Sequence, residues 1–406
     1  MICSIGYNYT YYLNILDKFT EEYARLNKEQ KEAVDTIEGP VMVIAGPGTG
    51  KTQTLALRIA NILKITQVNP SNILCLTFTD NGAVEMLSRL TSFIGTDAYK
   101  VKISTFHSFC EFVMQSNLEK FPQLVDNSQS IDETDKIKII LEILSKLSVN
   151  DPLRNIKNEG LYAKDIIQSI SKLKKEGISV EDLRIIIDKE KTYFEKTSEY
   201  YEEFLKLRSN TIKTEDVEKL RINLLDKADK NNIYTKGVIE ILEEYTIEDR
   251  NQIKAGIKKI YTRLSSANYF EKLESLLGIF EKYQNALLEK NQYDYEDMIM
   301  FVLEKLTQDE ELLVSLQEQF QYILVDEYQD TNSAQNELIY LLSSYFESPN
   351  LFVVGDDDQS IFKFQGASLE NILQFTKRFS NAKIVTLRNN YRSQPNVLKA
   401  SRDIIT

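Results

Sequence analysis

Three short apolar runs punctuate the first part of the chain: VMVIA at 41–45, NILCLTF at 72–78 and VKIST at 101–105. Each is followed by a stretch whose apolar positions recur at helical spacing. Such runs, apolar on both faces and alternating with helices, predict an α/β domain with a buried parallel sheet. From about Gln115 to about Gln292 the texture changes. Only Pro122 and Pro152 interrupt it, and Lys, Glu, Ile and Leu dominate with helical periodicity, as in DKIKIILEILSKL and FEKLESLLGIFEKYQNALLEK. This predicts a mostly α-helical insertion whose charges form a solvated face. Apolar runs then return as QYILVDE (321–327), NLFVVGD (350–356) and AKIVTL (382–387). The sheet begun at residue 41 is therefore expected to be completed after the insertion.

Between the first run and its helix lies AGPGTGKT, Ala45 to Thr52. It matches the phosphate-binding pattern G-x-x-x-x-G-K-[ST], with alanine at the first position. Gly46, Gly48 and Gly50 let the backbone wrap so that its N–H groups converge on phosphate oxygens. The helix starting near Lys51 adds the positive end of its dipole. Lys51 supplies a mobile charge for the β- and γ-phosphates, and the Thr52 hydroxyl is placed to ligate Mg²⁺. The candidate nucleotide site comprises Ala45, Gly46, Pro47, Gly48, Thr49, Gly50, Lys51, Thr52 and Gln53.

A second candidate lies at the end of a later strand, where ILVDEYQD carries Asp326 and Glu327. Open α/β sheets bind ligands outside the carboxyl ends of their strands. Asp326 is then a candidate to hold Mg²⁺ and Glu327 to polarise the attacking water as general base.

Composition narrows the class. The chain has 406 residues, 42% hydrophobic and 27% charged, which fits a globular protein of two or three domains. No run approaches the length of a membrane span, and the N-terminus lacks the pattern of a signal peptide. Cys3, Cys75 and Cys110 are too few and too far apart for a disulfide framework or a zinc site, and His107 is the only histidine, so a histidine-rich metal site is excluded. A reducing, cytoplasmic setting is expected. The net charge of −12 argues against a generally basic coat for nucleic acid but leaves room for a local basic groove.

Several further stretches fall in one order with the phosphate loop and the acidic pair: LNKEQKEAV (26–34), LTFTDNGAVEMLSRL (76–90), STFHSF (104–109), DYEDMI (294–299), VVGDDDQSIFKFQGA (353–367) and LRNNYRSQPNVL (387–398). In this the chain resembles the UvrD/Rep/PcrA group of superfamily 1 DNA helicases. The resemblance covers about 45–110 and 290–405 well and the insertion only in position and character. It implies a RecA-like P-loop NTPase sheet. It also implies that Gln30 reads the adenine edge, Tyr391 stacks on adenine, Gln359 senses the γ-phosphate with Asp356 and Asp358 nearby, and Arg392 reaches the γ-phosphate from across the cleft. Phe78, Thr79, Thr105, His107, Phe362 and Phe364 become the implied DNA contacts, the phenylalanines by stacking on bases. Plainer roles stay open: core packing for Phe78, a helix-start hydrogen bond for His107 and interdomain packing for Tyr391.

Two stretches depart from the group. IFKFQGA stands where the group usually has a tryptophan and an arginine, and Asp80-Asn81-Gly82-Ala83 stands where Asn-Lys-Ala-Ala is usual. In the first, Phe364 keeps a smaller π-face and Gln365 loses a positive charge, though Lys363 brings one nearby; the second replaces a base with neutral and acidic groups, and both changes predict weaker phosphate contact and a shallower salt dependence.

The expected layout is a first motor segment at 1–114, a helical insertion at 115–292, a second motor segment at 293–379 and the start of a truncated second motor domain at 380–406. Residues 380–406 are expected to pack loosely or be mobile, and the piece to bind ATP but hydrolyse it poorly. The resemblance implies an ATP- and Mg²⁺-dependent helicase or translocase, moving 3′→5′ in DNA repair or recombination. Its implied partner is single-stranded or 3′-tailed duplex DNA, in a cytoplasmic, nucleoid-associated setting. The alternatives are the helicase part of a helicase–nuclease and a non-hydrolysing, ATP-gated DNA-binding module; phosphate and stacking contacts alone do not exclude RNA.

Overall fold

A computed structural model describes residues 18–124, 128–158, 160–227, 233–244, 249–266, 268–356 and 369–394. Six of its strands are β1 (Val41–Ala45), β2 (Ile73–Thr77), β3 (Lys102–Thr105), β6 (Tyr322–Val325), β7 (Leu351–Gly355) and β8 (Lys383–Leu387). They form one parallel sheet in the order β3-β2-β6-β7-β1-β8. The apolar runs at these positions become strands because both faces of a helix-covered parallel sheet are dry. All five residues of β2 and all four of β6 are buried.

The chain divides into two compact units, one of residues 1–127, 174–177 and 295–406, the other of 128–173 and 178–294. The first holds the sheet. Its core joins Val41, Val43, Ile73, Cys75, Leu324 and Val354 to Leu55, Ile59 and Ile62 of the Lys51–Ile65 helix. Arg58 of that helix is buried against the Phe352 ring at 4.3 Å, and its guanidinium donates to Ala33 O at 2.6 Å and to Thr36 O. Burial lowers its pKa to about 9. This arginine ties the helix behind the phosphate loop to the Lys28–Asp35 helix.

The run AKIVTL (382–387) is expected to help complete the sheet, although it falls within the 380–406 segment read as the start of a following domain; in the structure it forms β8. It is the sixth strand of this sheet, pairing with β1 from Val41↔Lys383 to Ala45↔Leu387. The physical reason is the open edge of β1: β7 covers one side, and the backbone groups of the other pair with β8.

Among the described residues, the second unit is helical apart from a two-stranded parallel ladder, β4 (Gln129–Ser130) with β5 (Gln292–Tyr293), which brings its two ends together. It contains two apolar clusters. One gathers Ile140, Leu144, Ile170, Phe280 and Leu287, the other Tyr201, Phe204, Leu224, Val238 and Ile257. The 27-residue helix Val180–Lys206 serves both, giving Leu183 and Ile187 to the first and Tyr193, Tyr201 and Phe204 to the second. Among the described residues no helix is long and apolar enough to cross a membrane.

Candidate functional site

The carboxyl ends of β1, β7 and β6 lie side by side in that order. Each delivers a polar segment to one crevice. From β1 the chain passes through Gly46–Gly50 into the Lys51–Ile65 helix, with Gly48 and Gly50 at φ +74° and +86°. These left-handed turns point successive N–H groups inward. At Gly48 a Cβ atom would lie 2.7 Å from Cβ of Arg392 and 2.9 Å from the Asn390 amide, so only glycine fits there.

Lys51 crosses to the acidic pair. Its Nζ lies 2.8 Å from Oε2 of Glu327 and 3.9 Å from Oδ2 of the buried Asp356. Glu327 holds a left-handed backbone, φ +48°, which costs a non-glycine residue of the order of 1–3 kcal/mol. That turn lets two adjacent carboxylates serve different places. Asp326 is buried, accepts the Glu327 N–H at 2.9 Å, and is pushed up to about 6 by burial and by the neighbouring Glu327 charge, against the pull of that N–H and Lys51. A buried carboxylate disfavoured as an anion suits a divalent cation. One carboxylate, the Thr52 hydroxyl and phosphate oxygens make the hard-oxygen set that Mg²⁺ takes.

The implied adenine side is built differently from expectation. Gln30 is only 5% exposed, and its amide is engaged: Oε1 accepts the Asn27 N–H at 3.1 Å and Nε2 donates to Thr49 O at 2.9 Å. One N–H and one lone pair remain for a base. Tyr391 is 62% exposed, donates its N–H to Gly48 O at 2.8 Å and accepts at its hydroxyl from Asn27 at 2.9 Å. Asn390 folds the turn that carries it, accepting the N–H groups of Arg392 and Ser393 and donating to Pro47 O. Arg392 is exposed beside the loop. Gln53 spans Glu22 at 2.9 Å and Arg89 at 3.1 Å. Gln359, Asp358, Phe362 and Phe364 lie outside the described residues.

The implied DNA contacts divide. Phe78 is 41% exposed at the rim of a cavity of about 300 Å³, and His107 lines it. Thr79 is exposed and N-caps the Asp80–Ile94 helix. Thr105 is buried; its hydroxyl caps the Phe106–Ser116 helix and donates to Ser108 Oγ at 3.0 Å. A threonine just before a helical run is an N-cap signature, which was legible in TFHSF. His107 stacks on Tyr295 with ring centroids 3.6 Å apart. Burial lowers its pKa to about 4, against Glu296 and Asp80 and helped by Lys175. It is thus a neutral ring at neutral pH rather than a cation for phosphate. Lys175 and Asp330 complete the charged lining.

Three further residues shape the site without having been singled out. Asn390 ties the arginine-bearing turn to the phosphate loop. Gln329 sits between the acidic pair and the end of β7. Lys174, in the wall of the cavity, is buried against Asp297 at 2.6 Å. No local spacing announces these contacts, because each joins stretches far apart in the chain.

Comparison with known proteins agrees with this construction. The UvrD/REP helicase N-terminal domain family model matches residues 26–245 and 208–380. The ATP-dependent DNA helicase PcrA of Staphylococcus epidermidis is 31% identical over 381 residues, 94% of this chain and 40% of the relative. PcrA of Bacillus subtilis is 30% identical over 380 residues, 94% of this chain and 39% of the relative, and PcrA of Staphylococcus aureus is 30% identical over a similar span. The chain thus spans about two fifths of the length of the curated relatives it matches. With the phosphate loop facing a strand-end acidic pair on a six-stranded parallel sheet, and a family match running through both units, the chain belongs to the UvrD/REP helicase N-terminal domain family.

Proposed function

We propose that this chain is the ATP-binding motor portion of an ATP-dependent DNA helicase or translocase that moves 3′→5′ on single strands in repair or recombination. Its partner is single-stranded or 3′-tailed DNA. The observation that carries the reading is the 2.8 Å ion pair of Lys51 with Glu327, which sets the phosphate loop against the acidic pair. Lys51 pairs with Glu327 in the structure. A γ-phosphate entering the loop competes for Lys51 and releases Glu327 to orient and deprotonate the attacking water. Asp326 and Thr52 would hold Mg²⁺, which neutralises charge on the phosphates when bound. Arg392 would neutralise charge building on the γ-phosphate, and Tyr391 would stack on the base. Gln30 would favour adenine with its remaining N–H and lone pair. On the cavity side, Phe78 and the His107–Tyr295 pair offer flat rings for bases, a contact tolerant of sequence.

The test is the ATPase rate with and without oligo-dT, together with binding of a fluorescent ATP analogue, in the parent and in Lys51→Ala. DNA-stimulated turnover and nucleotide binding that both vanish in the variant support the reading. Nucleotide binding indifferent to Lys51→Ala, or the absence of oligo-dT binding in the parent, would sink it.

A further inference from the structure

Four residues after Asp326 the chain reaches Asp330, which belongs to the wall of the Phe78–His107 cavity. Between them stands Gln329, 3% exposed, whose amide is shared three ways. Nε2 donates to Oε2 of Glu327 at 2.9 Å and to Oδ2 of Asp330 at 3.2 Å. Oε1 accepts the N–H of Asp356 at 2.9 Å, at the end of β7. The Glu327 oxygen that takes the Gln329 N–H is the same one that takes Lys51. The amide has no freedom to shift alone. A Cβ atom on Gly355 would lie 2.8 Å from Oε1 and 3.1 Å from the Gln329 N, so the strand end is pressed against it.

We propose that Gln329 is a positioning residue that couples occupancy of the cavity by single-stranded nucleic acid to the setting of Glu327 at the phosphate loop. This rests on the function proposed above. Once a nucleotide draws Lys51 away, the Gln329 N–H is the neighbour that fixes where the Glu327 carboxylate points. Asp330 holds the other N–H of the same planar group. A ligand that shifts Asp330 in the cavity wall therefore turns the amide, and the amide turns Glu327. The anchor at Asp356 makes the motion a rotation about Oε1 rather than a loose displacement. Polar side chains joined in this way have discrete arrangements, which is what coupling between two sites requires.

Thermodynamic linkage tests this without turnover. The affinity of labelled oligo-dT is measured by anisotropy with and without a saturating non-hydrolysable ATP analogue and Mg²⁺, and the ratio of the two is the readout. A merely structural role would lower both affinities and leave the ratio alone. In the parent the ratio is expected to depart from one by about 5–150-fold. In Gln329→Met, which keeps the volume and loses the hydrogen bonds, it should fall to within about twofold of one. Asp330→Ala should collapse the ratio as well, and the double variant should do no more than either single. A ratio preserved in Gln329→Met, or effects of the two variants that simply add, overturns the proposal. If Gln329→Met does not fold, Asp330→Ala decides alone, and a preserved ratio there overturns it. A parent that binds both ligands with a ratio of one overturns this inference and leaves the proposed function standing. A parent that binds no oligo-dT refutes the proposed function itself before any variant is made.

Discussion

The phosphate-loop end of the sheet and the cavity lined by Phe78 and His107 belong to one compact unit, yet the first is built of charges and left-handed turns and the second sets aromatic rings among its charges. At the first, charges gather round one lysine, and the backbone takes left-handed conformations at Gly48, Gly50 and Glu327. At the second, two aromatic rings lie flat on each other, the histidine is held neutral, and the charged residues of the wall, Lys174, Lys175, Glu296 and Asp330, are of both signs. The phosphate end is suited to a ligand of fixed charge and geometry. The cavity is suited to one recognised by flat surfaces with little regard to identity. The motor proposed above, reading one nucleotide and tolerating any sequence, would use both kinds of surface.

The sharpest way to break this contrast is at Glu327. If its carboxylate is the general base, Glu327→Gln lowers turnover by about 10²–10⁴-fold. Nucleotide affinity should hold or rise, because Lys51 loses its competing partner. Phosphate release and analogue binding, measured on one preparation, separate the two. Loss of affinity in step with rate would mean that Glu327 organises the loop instead of serving the chemistry.

The cavity side can be broken at its wall. Lys174→Met leaves Asp297 buried without its ion pair, which is expected to cost about 3–5 kcal/mol. Lys174→Met combined with Asp297→Leu should recover most of that, since an apolar pair of similar volume replaces a buried ion pair at little cost. Denaturant melts of the three proteins decide. An additive double variant would show that the two residues act through separate neighbours.

This pair also explains why one region was legible in the sequence and the other was not. Eight consecutive residues, Ala45 to Thr52, carry the phosphate loop, and two adjacent ones carry the acidic pair. Their chemistry is local, so spacing alone announces it. The strands were legible for the same reason: a run such as ILCLT, buried throughout, has no polar face to disguise it. The cavity draws on residues near 78, 107, 174, 295 and 330, and Lys174 meets Asp297 across more than a hundred residues of chain. No periodicity encodes that meeting. Gln30 shows a third case. The resemblance implies a base-reading amide, and the fold uses half of its hydrogen-bonding capacity to cap a helix and brace Thr49, which no local pattern foretells. The apolar run AKIVTL announced a strand of this sheet even though motif order put 380–406 at the start of a following domain; which edge β8 takes, beside β1, is settled by strand pairing that no local pattern encodes.

The smallest expected effect sharpens the contrast by its sign. His107 is the only histidine in the chain, so its imidazole resonance can be followed without assignment. Its pKa should be about 4, below the ordinary 6.5 of an unfolded chain. The unfolded state then binds the proton more readily between those values. Stability from this residue is complete above about 6.5 and is lost as pH falls through about 4. Asp326 works the other way. Its native pKa of about 6 exceeds the ordinary 3.8, so in that window the native state binds the proton more readily and stability falls as pH rises. The two contributions oppose each other between about 4 and 6, and an overall melt against pH hides both. The difference between parent and His107→Phe isolates the histidine. The variant should gain stability relative to the parent on acidification from pH 7 to about pH 5, because it has no imidazole for the unfolded chain to protonate. A resonance titrating near 6.5 and melts that track each other across that range would mean the ring is open to water, and the flat aromatic surface that sets the cavity apart from the phosphate end would be lost.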